Sequence, residues 1–225
     1  MTLLAVFDGD GTLVDSREVI FRVAREASAA AGLPDPSYDR VRRMVGLSLP
    51  QALHTLAPEL TDAELADFVR LYQQAFIAIH DQPGYAEPLY DGAEATLRRL
   101  RREGWTLAIA TGKSRRGVER WMKREGWADL FTSTHCADDG PGKPDPHMLL
   151  QAVKAAGTTP ERTVMIGDAG HDMRMAVAAR ARPQGVAWGF QTPTEILEAG
   201  AVHVARDFAE LDAELDQFAI SSHAA

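Results

Sequence analysis

Short, unbroken apolar segments recur along the chain, and they limit the folds that it can adopt. The four clearest are Leu3–Phe7, Thr106–Ala110, Thr163–Ile166 and Gly185–Trp188, and a weaker one lies at Ala201–Ala205. A segment without alternating polar residues is typical of a strand that is buried on both faces, as strands are in parallel sheets. The sequence therefore favours a parallel sheet whose strands lie far apart in the chain.

Helical patterns lie between these apolar segments. Residues 91–103 carry apolar side chains on one helical face, and Gly104 follows them. Asp145 and Pro146 have the character of a helix start, and Gly157 that of a helix end. Strands and helices that alternate every 25 to 35 residues or so predict an α/β fold, a Rossmann-like parallel sheet with helices on both faces.

The stretch between the first strand and Asp91 is different, because it contains helical patterns without an intervening strand. Residues 17–31 and 62–79 each place apolar side chains on one stripe. Two predicted capping boxes mark helix starts there, Ser48 with Gln51 and Thr61 with Glu64. We interpret residues 16–87 as an inserted helical domain that returns through the segment DQPGYAEP, and residues 1–15 and 88–225 as the α/β domain.

Composition narrows the classes of partner and the compartment. The 225 residues suffice for a sizeable core, and 45% hydrophobic with 25% charged residues is ordinary for a globular protein. A net charge of −8 disfavours nucleic acid and anionic membranes as partners. Without a long apolar segment or a basic leader, and with Cys136 as the single cysteine, we expect a cytoplasmic protein.

Chemically active side chains follow the ends of several predicted strands. Since ligands bind beyond the carboxyl ends of strands in an open parallel sheet, these side chains are expected to share one crevice. Lys143 belongs with them, because the segment PGKPDP cannot continue a helix or a central strand. The candidates are Asp8, Asp10, Thr111, Gly112, Lys113, Lys143, Asp168 and Asp172.

The acidic members of this set indicate a metal ion. If Asp8, Asp168 and Asp172 are ionised within about 4 to 6 Å of one another, each pair costs several kcal/mol at an effective dielectric constant near 20. A divalent cation removes that cost, and carboxylates are hard oxygen ligands, so we expect Mg²⁺. His171 and Cys136 do not form the cluster that zinc would require.

Together, the cation, a lysine, a hydroxyl and a free carboxylate make a site for a phosphoryl group. Lys143 would neutralise phosphoryl oxygens, while Thr111 and nearby backbone N–H groups would hold them. Asp8 could attack phosphorus and form an aspartyl-phosphate. Asp10, two residues further on, could protonate the leaving oxygen and later accept a proton from water.

The motifs resemble those of the haloacid dehalogenase superfamily, in order and in spacing. They are DGDGT at residues 8–12, the strand ending in Thr111, GKPDP around Lys143 and GDAGHDMRMA at residues 167–176. The resemblance extends over essentially the whole chain, because the helical insertion is similar to the helical cap domain of that superfamily. FDGDGTLVDS and GVAWGF are most similar to phosphoglycolate phosphatases.

The resemblance implies a role for each motif residue. It implies Asp8 as nucleophile, Asp10 as acid and base, and Thr111, Gly112 and Lys143 on the phosphoryl group. It implies Asp8, the Asp10 carbonyl and Asp168 as ligands of Mg²⁺. It implies Asp172 as an outer partner, either of the metal or of Lys143. The chain has Gly9 where relatives commonly have Leu, and Ala169 where they often have Thr or Ser; neither change removes a charged group.

The resemblance implies a phosphatase for a small phosphorylated metabolite, with 2-phosphoglycolate as the first candidate. A sugar phosphomutase, a pyrophosphatase and a receiver-like phospho-aspartate switch remain alternatives, although Asp10 and the helical insertion argue against the switch. Arg42 and Arg43 precede the turn Val45-Gly46-Leu47, so Arg43 is a candidate residue for binding a substrate carboxylate.

Overall fold

One parallel sheet forms the centre of the molecule. The computed structural model describes residues 2–82, 85 and 87–223, and in that part of the chain the sheet has six strands. They are β1 (Leu4–Phe7), β2 (Thr106–Thr111), β3 (Ser133–Cys136), β4 (Thr163–Gly167), β5 (Arg182–Val186) and β6 (His203–Ala205). Every neighbouring pair is parallel, which confirms the predicted α/β fold class.

The strand order β3-β2-β1-β4-β5-β6 places the earliest strand beside a late one. After β1 the sheet grows outward through β2 and β3, and the chain then returns to the other side of β1 with β4. In such doubly wound sheets the loops diverge where the order reverses and leave a crevice beyond the strand ends. The β1–β4 pair therefore marks the expected position of a ligand site.

Helices cover both faces of the sheet. In the α/β part they are α5 (Ala93–Arg102), α6 (Arg115–Glu125), α7 (His147–Ala156), α8 (Gly170–Ala179), α9 (Pro193–Glu198) and α10 (Phe208–His223). Side chains alternate along β1, so that Leu4 and Val6 pack with α7 and α8, while Ala5 and Phe7 face a second layer with α5 and α10. This two-sided burial is the reason that β1 is apolar at every position.

Two strands differ from the sequence-based expectation. Strand β3 was not predicted, because three of its four residues, Ser133–His135, are polar and only partly buried at the sheet edge, where a strand has one neighbour. Strand β5 begins at Arg182 instead of Gly185, since Pro183 and Gln184 interrupt the apolar pattern. Gln184 is nevertheless fully buried, and its side-chain amide donates to the carbonyl oxygens of Gly185 and His203.

The insertion after β1 is helical, as predicted, and we call its four helices the cap. They are α1 (Arg17–Ala30), α2 (Tyr38–Met44), α3 (Leu49–Leu56) and α4 (Asp62–His80). They enclose a core of their own that includes Val23, Met44, Leu53, Phe68 and Tyr72. Phe190, from the loop after β5, also packs in that core and joins the cap to the α/β part.

Of the two predicted capping boxes, one forms completely and the other does not. Thr61 and Glu64 form the complete capping box at the start of α4. Ser48 instead donates its hydroxyl to the Gln51 side chain, and the predicted bond to the backbone of α3 is not formed. Helix α7 starts at His147, with the Asp145 carboxylate accepting from the His147 amide.

The segments that leave and re-enter the α/β part lie side by side. The Asp15 amide donates to the Pro88 carbonyl at 2.9 Å, and the Tyr90 amide donates to the Leu13 carbonyl at 3.1 Å. Of the predicted return segment, Pro83, Gly84 and Ala86 lie outside the described residues, so the exact limits of the cap stay a prediction. None of the helices described here combines the length and hydropathy needed to span a membrane.

Candidate active site

Four segments bring the predicted residues together at the carboxyl edge of the sheet. Asp8 follows β1, Thr111 ends β2, and Asp168 follows β4. Asp172 lies in the first turn of α8, and Lys143 comes from the loop between β3 and α7. All five side chains are almost completely buried, between 0% and 1% exposed, so the four ionisable groups among them need opposite charge close by.

Lys143 lies between two of the carboxylates. Its ammonium nitrogen is 2.9 Å from Asp8 Oδ1 and 2.6 Å from Asp172 Oδ1. Burial disfavours the ammonium ion, but the charges of Asp172 and Asp8 outweigh it and raise the pKa of Lys143 above its ordinary value. Asp172 also accepts the Ala169 amide at 3.3 Å through Oδ2. Asp172 therefore holds the lysine that faces Asp8.

Asp168 is held by neutral donors. Its Oδ1 accepts the Thr12 hydroxyl at 3.0 Å, and its Oδ2 accepts the Phe190 amide at 2.8 Å. Gly11 adopts φ +77° directly against this carboxylate, and a side chain there would collide with Asp168. The glycine of the sequence DGDGT thus permits both the left-handed turn and the close approach.

The buried charges do not balance. Carboxylate oxygens of Asp8, Asp168 and Asp172 lie within 4.8 Å of one another, and Lys143 is the ammonium group paired among them. Burial and the neighbouring carboxylates raise the pKa of Asp8 to about 7 and that of Asp168 well above its ordinary value. Asp8 Oδ2 is buried and has no hydrogen-bond partner in the described part of the chain.

These oxygens fit a hard divalent cation. Such an ion would supply positive charge where the carboxylates repel one another, and it would give Asp8 Oδ2 a partner. Asp8 and Asp168 belong to both the predicted ligand set and the observed cluster. In the structure Asp172 is the third member of that cluster. That the Asp10 carbonyl is a metal ligand stays a prediction.

Thr111 and Gly112 form the adjoining wall of the site. The buried Thr111 hydroxyl accepts the Lys113 amide at 3.3 Å. Gly112 lies against the carbonyl oxygens of Gly46 and Leu47 in the cap, so closely that a Cβ atom would overlap them. A glycine at this position lets the turn between α2 and α3 reach the end of β2.

Lys113 and Glu87 are two further charged side chains to which the sequence motifs assign no role. The Lys113 ammonium is 2.7 Å from Asp10 Oδ1. Glu87 Oε2 lies 3.7 Å from His80 Nε2 and 3.3 Å from the Arg124 guanidinium. Because Lys113 directly follows Thr111 and Gly112, the sequence indicated that it would lie near the site. Nothing local in the sequence indicated that Glu87 would be buried.

A cavity of about 600 Å³ connects these residues with the cap. Asp8, Asp10, Thr111, Gly112 and Lys113 line one end, and cap residues line the other. Lys143, Asp168 and Asp172 lie behind Asp8 and do not line it. Asp8 is therefore the carboxylate placed between the buried charges and the space that a substrate can enter.

The structure does not bring Arg43 to this cavity. Its side chain is 61% exposed and contacts Asp39, with Glu195 at 4.0 Å. Arg42 forms a two-bonded ion pair with Glu195 at 2.8 and 3.1 Å, which links α2 to α9. Neither arginine lines the cavity, because helix α2 directs its apolar residues Val41 and Met44 toward the core of the cap.

Comparison with known proteins agrees with this geometry. The family model described as haloacid dehalogenase-like hydrolase matches residues 5–186. A phosphoglycolate phosphatase of Agrobacterium fabrum is 33% identical, covering 99% of this chain and 96% of that protein. A probable phosphatase, IndB, of Dickeya dadantii is 33% identical over 94% of this chain and 92% of its own length.

Solved structures and more distant relatives extend the comparison. A hydrolase from Pseudomonas syringae superposes with a TM-score of 0.85 at 28% identity, covering 96% of this chain and 99% of that one. A pyrophosphatase, PpaX, of Bacillus pumilus is 29% identical over 83% of both chains. The chain therefore belongs to the haloacid dehalogenase-like hydrolases, and within that family it is a phosphatase.

Proposed function

We propose that the protein is a Mg²⁺-dependent phosphatase that hydrolyses small phosphomonoesters through an aspartyl-phosphate on Asp8. One observation carries the proposal. Asp8 is buried beside Lys143, its Oδ2 has no hydrogen-bond partner among the described residues, and it lines the cavity that opens toward the cap. A carboxylate in this setting can act as a nucleophile toward a phosphoryl group that enters the cavity.

The surrounding residues would stabilise the charge that develops on the phosphoryl oxygens. Lys143 contributes a positive charge fixed by Asp172, and Thr111 contributes a hydroxyl at the end of β2. Mg²⁺ bound to Asp8, Asp168 and the Asp10 carbonyl would add positive charge at the same oxygens. Asp8 then forms a bond to phosphorus as the bond from phosphorus to the leaving oxygen breaks.

Asp10 is the proposed proton carrier of both steps. Its side chain reaches the cavity, and the Lys113 ammonium holds its Oδ1. Asp10 would give a proton to the leaving oxygen when the aspartyl-phosphate forms. It would then take a proton from the water that attacks phosphorus, which releases phosphate and restores Asp8.

The first substrate to test is 2-phosphoglycolate, because the motifs resemble those of phosphoglycolate phosphatases and a relative with that name covers nearly the whole chain. A pyrophosphatase is the second candidate, since the relative PpaX carries that name. A sugar phosphomutase would return the phosphoryl group to a sugar, and a receiver-like switch would retain it on Asp8. We expect the enzyme to act in the cytoplasm, where the thiol of Cys136 stays reduced.

A phosphate-release screen tests the proposal. Small phosphorylated acids, sugar phosphates, nucleotides and pyrophosphate would each be incubated with the purified protein and MgCl₂. We expect phosphate release from phosphomonoesters, its loss on addition of EDTA, and a decrease of at least about 10⁴-fold in Asp8→Asn. Release from none of these compounds, or an Asp8→Asn variant as active as the wild type, would refute it.

A further inference from the structure

The cavity offers more space than a two-carbon phosphate ester needs. Its volume of about 600 Å³ lies within the range of roughly 300 to 1,000 Å³ that is typical of sites for much larger organic ligands. Asp8 and Asp10 line it, so the space continues directly from the proposed reacting groups. A bound 2-phosphoglycolate would leave most of the cap end of this cavity filled with water.

The cap wall of the cavity is apolar and partly aromatic. Apolar residues from all four cap helices contribute to it, among them Ile20 of α1 and Val69, Tyr72, Phe76 and Ile77 of α4. Val69, Tyr72, Phe76 and Ile77 recur every three or four positions along α4 and form an apolar stripe toward the cavity, with the polar Gln73 and His80 beside it. A stripe of this kind removes an apolar group from water but offers little to a bare carboxylate.

The opposite wall carries two arginines that have no carboxylate partner in the part of the chain that the structure describes. Arg116 and Arg120 lie one turn apart on α6, and both line the cavity. Across the described ranges, the guanidinium group of neither arginine is within ion-pairing or hydrogen-bonding distance of another residue. The neighbouring Arg124 differs, because it binds Glu87.

The acidic groups at this cavity are already engaged. Lys113 contacts Asp10, Arg124 contacts Glu87, and Asp138 accepts the Arg115 amide at 2.7 Å. The positive charges of Arg116 and Arg120 are therefore available to an anion that enters from the cap side. Two guanidinium groups on adjacent turns suit a carboxylate or a second phosphate.

We propose that the preferred substrate is a phosphomonoester whose leaving group has a ring-sized apolar body and a second anionic group. The body would lie against Tyr72, Phe76 and Ile77, and the anion would bind Arg116 and Arg120. This inference rests on the proposed phosphatase function and concerns which alcohol the enzyme releases. It predicts that 2-phosphoglycolate, which has the anion but lacks the apolar body, is a poor substrate.

Four phosphate esters test the apolar body and the second anion separately. All four are esters of primary alcohols, so the chemistry of the leaving group is similar. Ethyl phosphate has neither feature, 2-phosphoglycolate has the anion, benzyl phosphate has the ring, and 4-carboxybenzyl phosphate has both. We expect kcat/KM for 4-carboxybenzyl phosphate to exceed that for 2-phosphoglycolate by roughly tenfold or more, and that for benzyl phosphate to exceed that for ethyl phosphate similarly.

Variants test which wall of the cavity is responsible for the preference for an anion and which for the preference for an apolar ring. In Arg116→Gln/Arg120→Gln, the ratio of kcat/KM for 4-carboxybenzyl over benzyl phosphate should fall by about tenfold. In Ile77→Ser, the ratio for benzyl over ethyl phosphate should fall several-fold. Arg102→Gln on α5 and Ile220→Ser on α10 are matched controls outside the cavity, and both ratios should stay unchanged in them.

The outcomes separate the two proposals. A wild-type enzyme that prefers 2-phosphoglycolate over 4-carboxybenzyl phosphate would overturn the substrate class and leave the phosphatase function standing. Unchanged ratios in the arginine and isoleucine variants would equally contradict it. Phosphate release from none of the four esters, with release from another compound of the phosphate-release screen, would also overturn the substrate class alone. Release from none of the compounds in either set would refute the proposed function itself, and this inference with it.

Discussion

The ammonium group of Lys113 fixes the side chain on which the proposed proton transfer depends. It is 2.7 Å from Asp10 Oδ1 and 6.0 Å from the centre of the Phe76 ring. Without it, the Asp10 carboxyl group could rotate away from the leaving oxygen. Lys113 is therefore a positioning residue, and its removal should impair proton transfer more than phosphate binding.

Substitution Lys113→Met keeps the length of the side chain and removes its charge. With an alkyl phosphate, whose alcohol needs a proton to leave, kcat/KM should fall by about 10²-fold. With 4-nitrophenyl phosphate, whose leaving group needs no proton, the decrease in kcat/KM should be several-fold at most, because kcat/KM does not include the later hydrolysis of the aspartyl-phosphate. Steady-state kinetics with the two substrates measures this difference.

Exposed Lys123, on the same helix as Arg116, provides the control Lys123→Met, which should leave both rates unchanged. Equal losses with the two substrates in Lys113→Met would contradict the positioning role, because a general structural defect does not depend on the leaving group. Circular dichroism would establish that the variant is folded.

At the scale of single residues, the sequence predicts which side chains lie at the strand ends but not which of them pair across the fold. Asp8, Thr111 and Asp168 were predictable because carboxyl ends of parallel strands meet at one edge. Lys113 and Glu87 act through partners that are distant in the chain, and such pairs depend on the tertiary arrangement. Arg43 precedes a turn that does reach the site, yet its own helix directs it outward.

Among the structural elements, the last cap helix and helix α6 are joined by the buried carboxylate of Glu87. Glu87 lies near His80 at the end of α4 and Arg124 on α6. Burial alone would raise the pKa of Glu87, but His80 and the charge of Lys113 lower it to about 2, from an ordinary 4.5. The ionised carboxylate therefore stabilises the contact between the last cap helix and the α/β part.

The substitution Glu87→Gln tests this contact. At pH 7 it should lower the free energy of unfolding by about 1 to 3 kcal/mol. A group whose pKa is lowered on folding stabilises the protein above its unfolded pKa, and this contribution is lost as the pH falls from about 5 toward 2. The difference between variant and wild type should thus be about 1 kcal/mol smaller at pH 3.5, as measured by urea denaturation.

The exposed Glu94 on α5, paired with Arg98, supplies the comparison. Glu94→Gln should change the free energy of unfolding by less than about 0.5 kcal/mol at either pH. If Glu87→Gln were as stable as the wild type at pH 7, the buried carboxylate would not join the two parts.

The sequence predicted elements best where burial imposed a single pattern. Strands β1, β2 and β4 lie in the middle of the sheet, and their apolar runs follow from neighbours on both sides and layers on both faces. The edge strand β3 has one neighbour, so polar residues are tolerated and the pattern disappears. Strand β5 has a neighbour on each side, but Pro183 and the buried amide of Gln184 interrupt its apolar pattern and conceal the strand start.

For the whole molecule, the fold and the proposed reaction follow from the same strand order. The reversal between β1 and β4 places Asp8 beside Asp168, and the insertion directly after β1 places the cap over them. The motifs predicted this assembly because they occur at successive strand ends. The size of the cavity, and the absence of an ion-pair partner for Arg116 and Arg120 among the described residues, became visible in the folded molecule, since both depend on how the cap packs against α6.

The central claim is that Asp8 accepts the phosphoryl group. Acid quenching of the enzyme during turnover of a ³²P-labelled phosphomonoester tests it most directly, with peptide mapping of the labelled protein. We predict label on the peptide that contains Asp8, its release by hydroxylamine as expected for an acyl phosphate, and no label in Asp8→Asn. Phosphate release at the wild-type rate by Asp8→Asn, or label on a different residue, would contradict the claim.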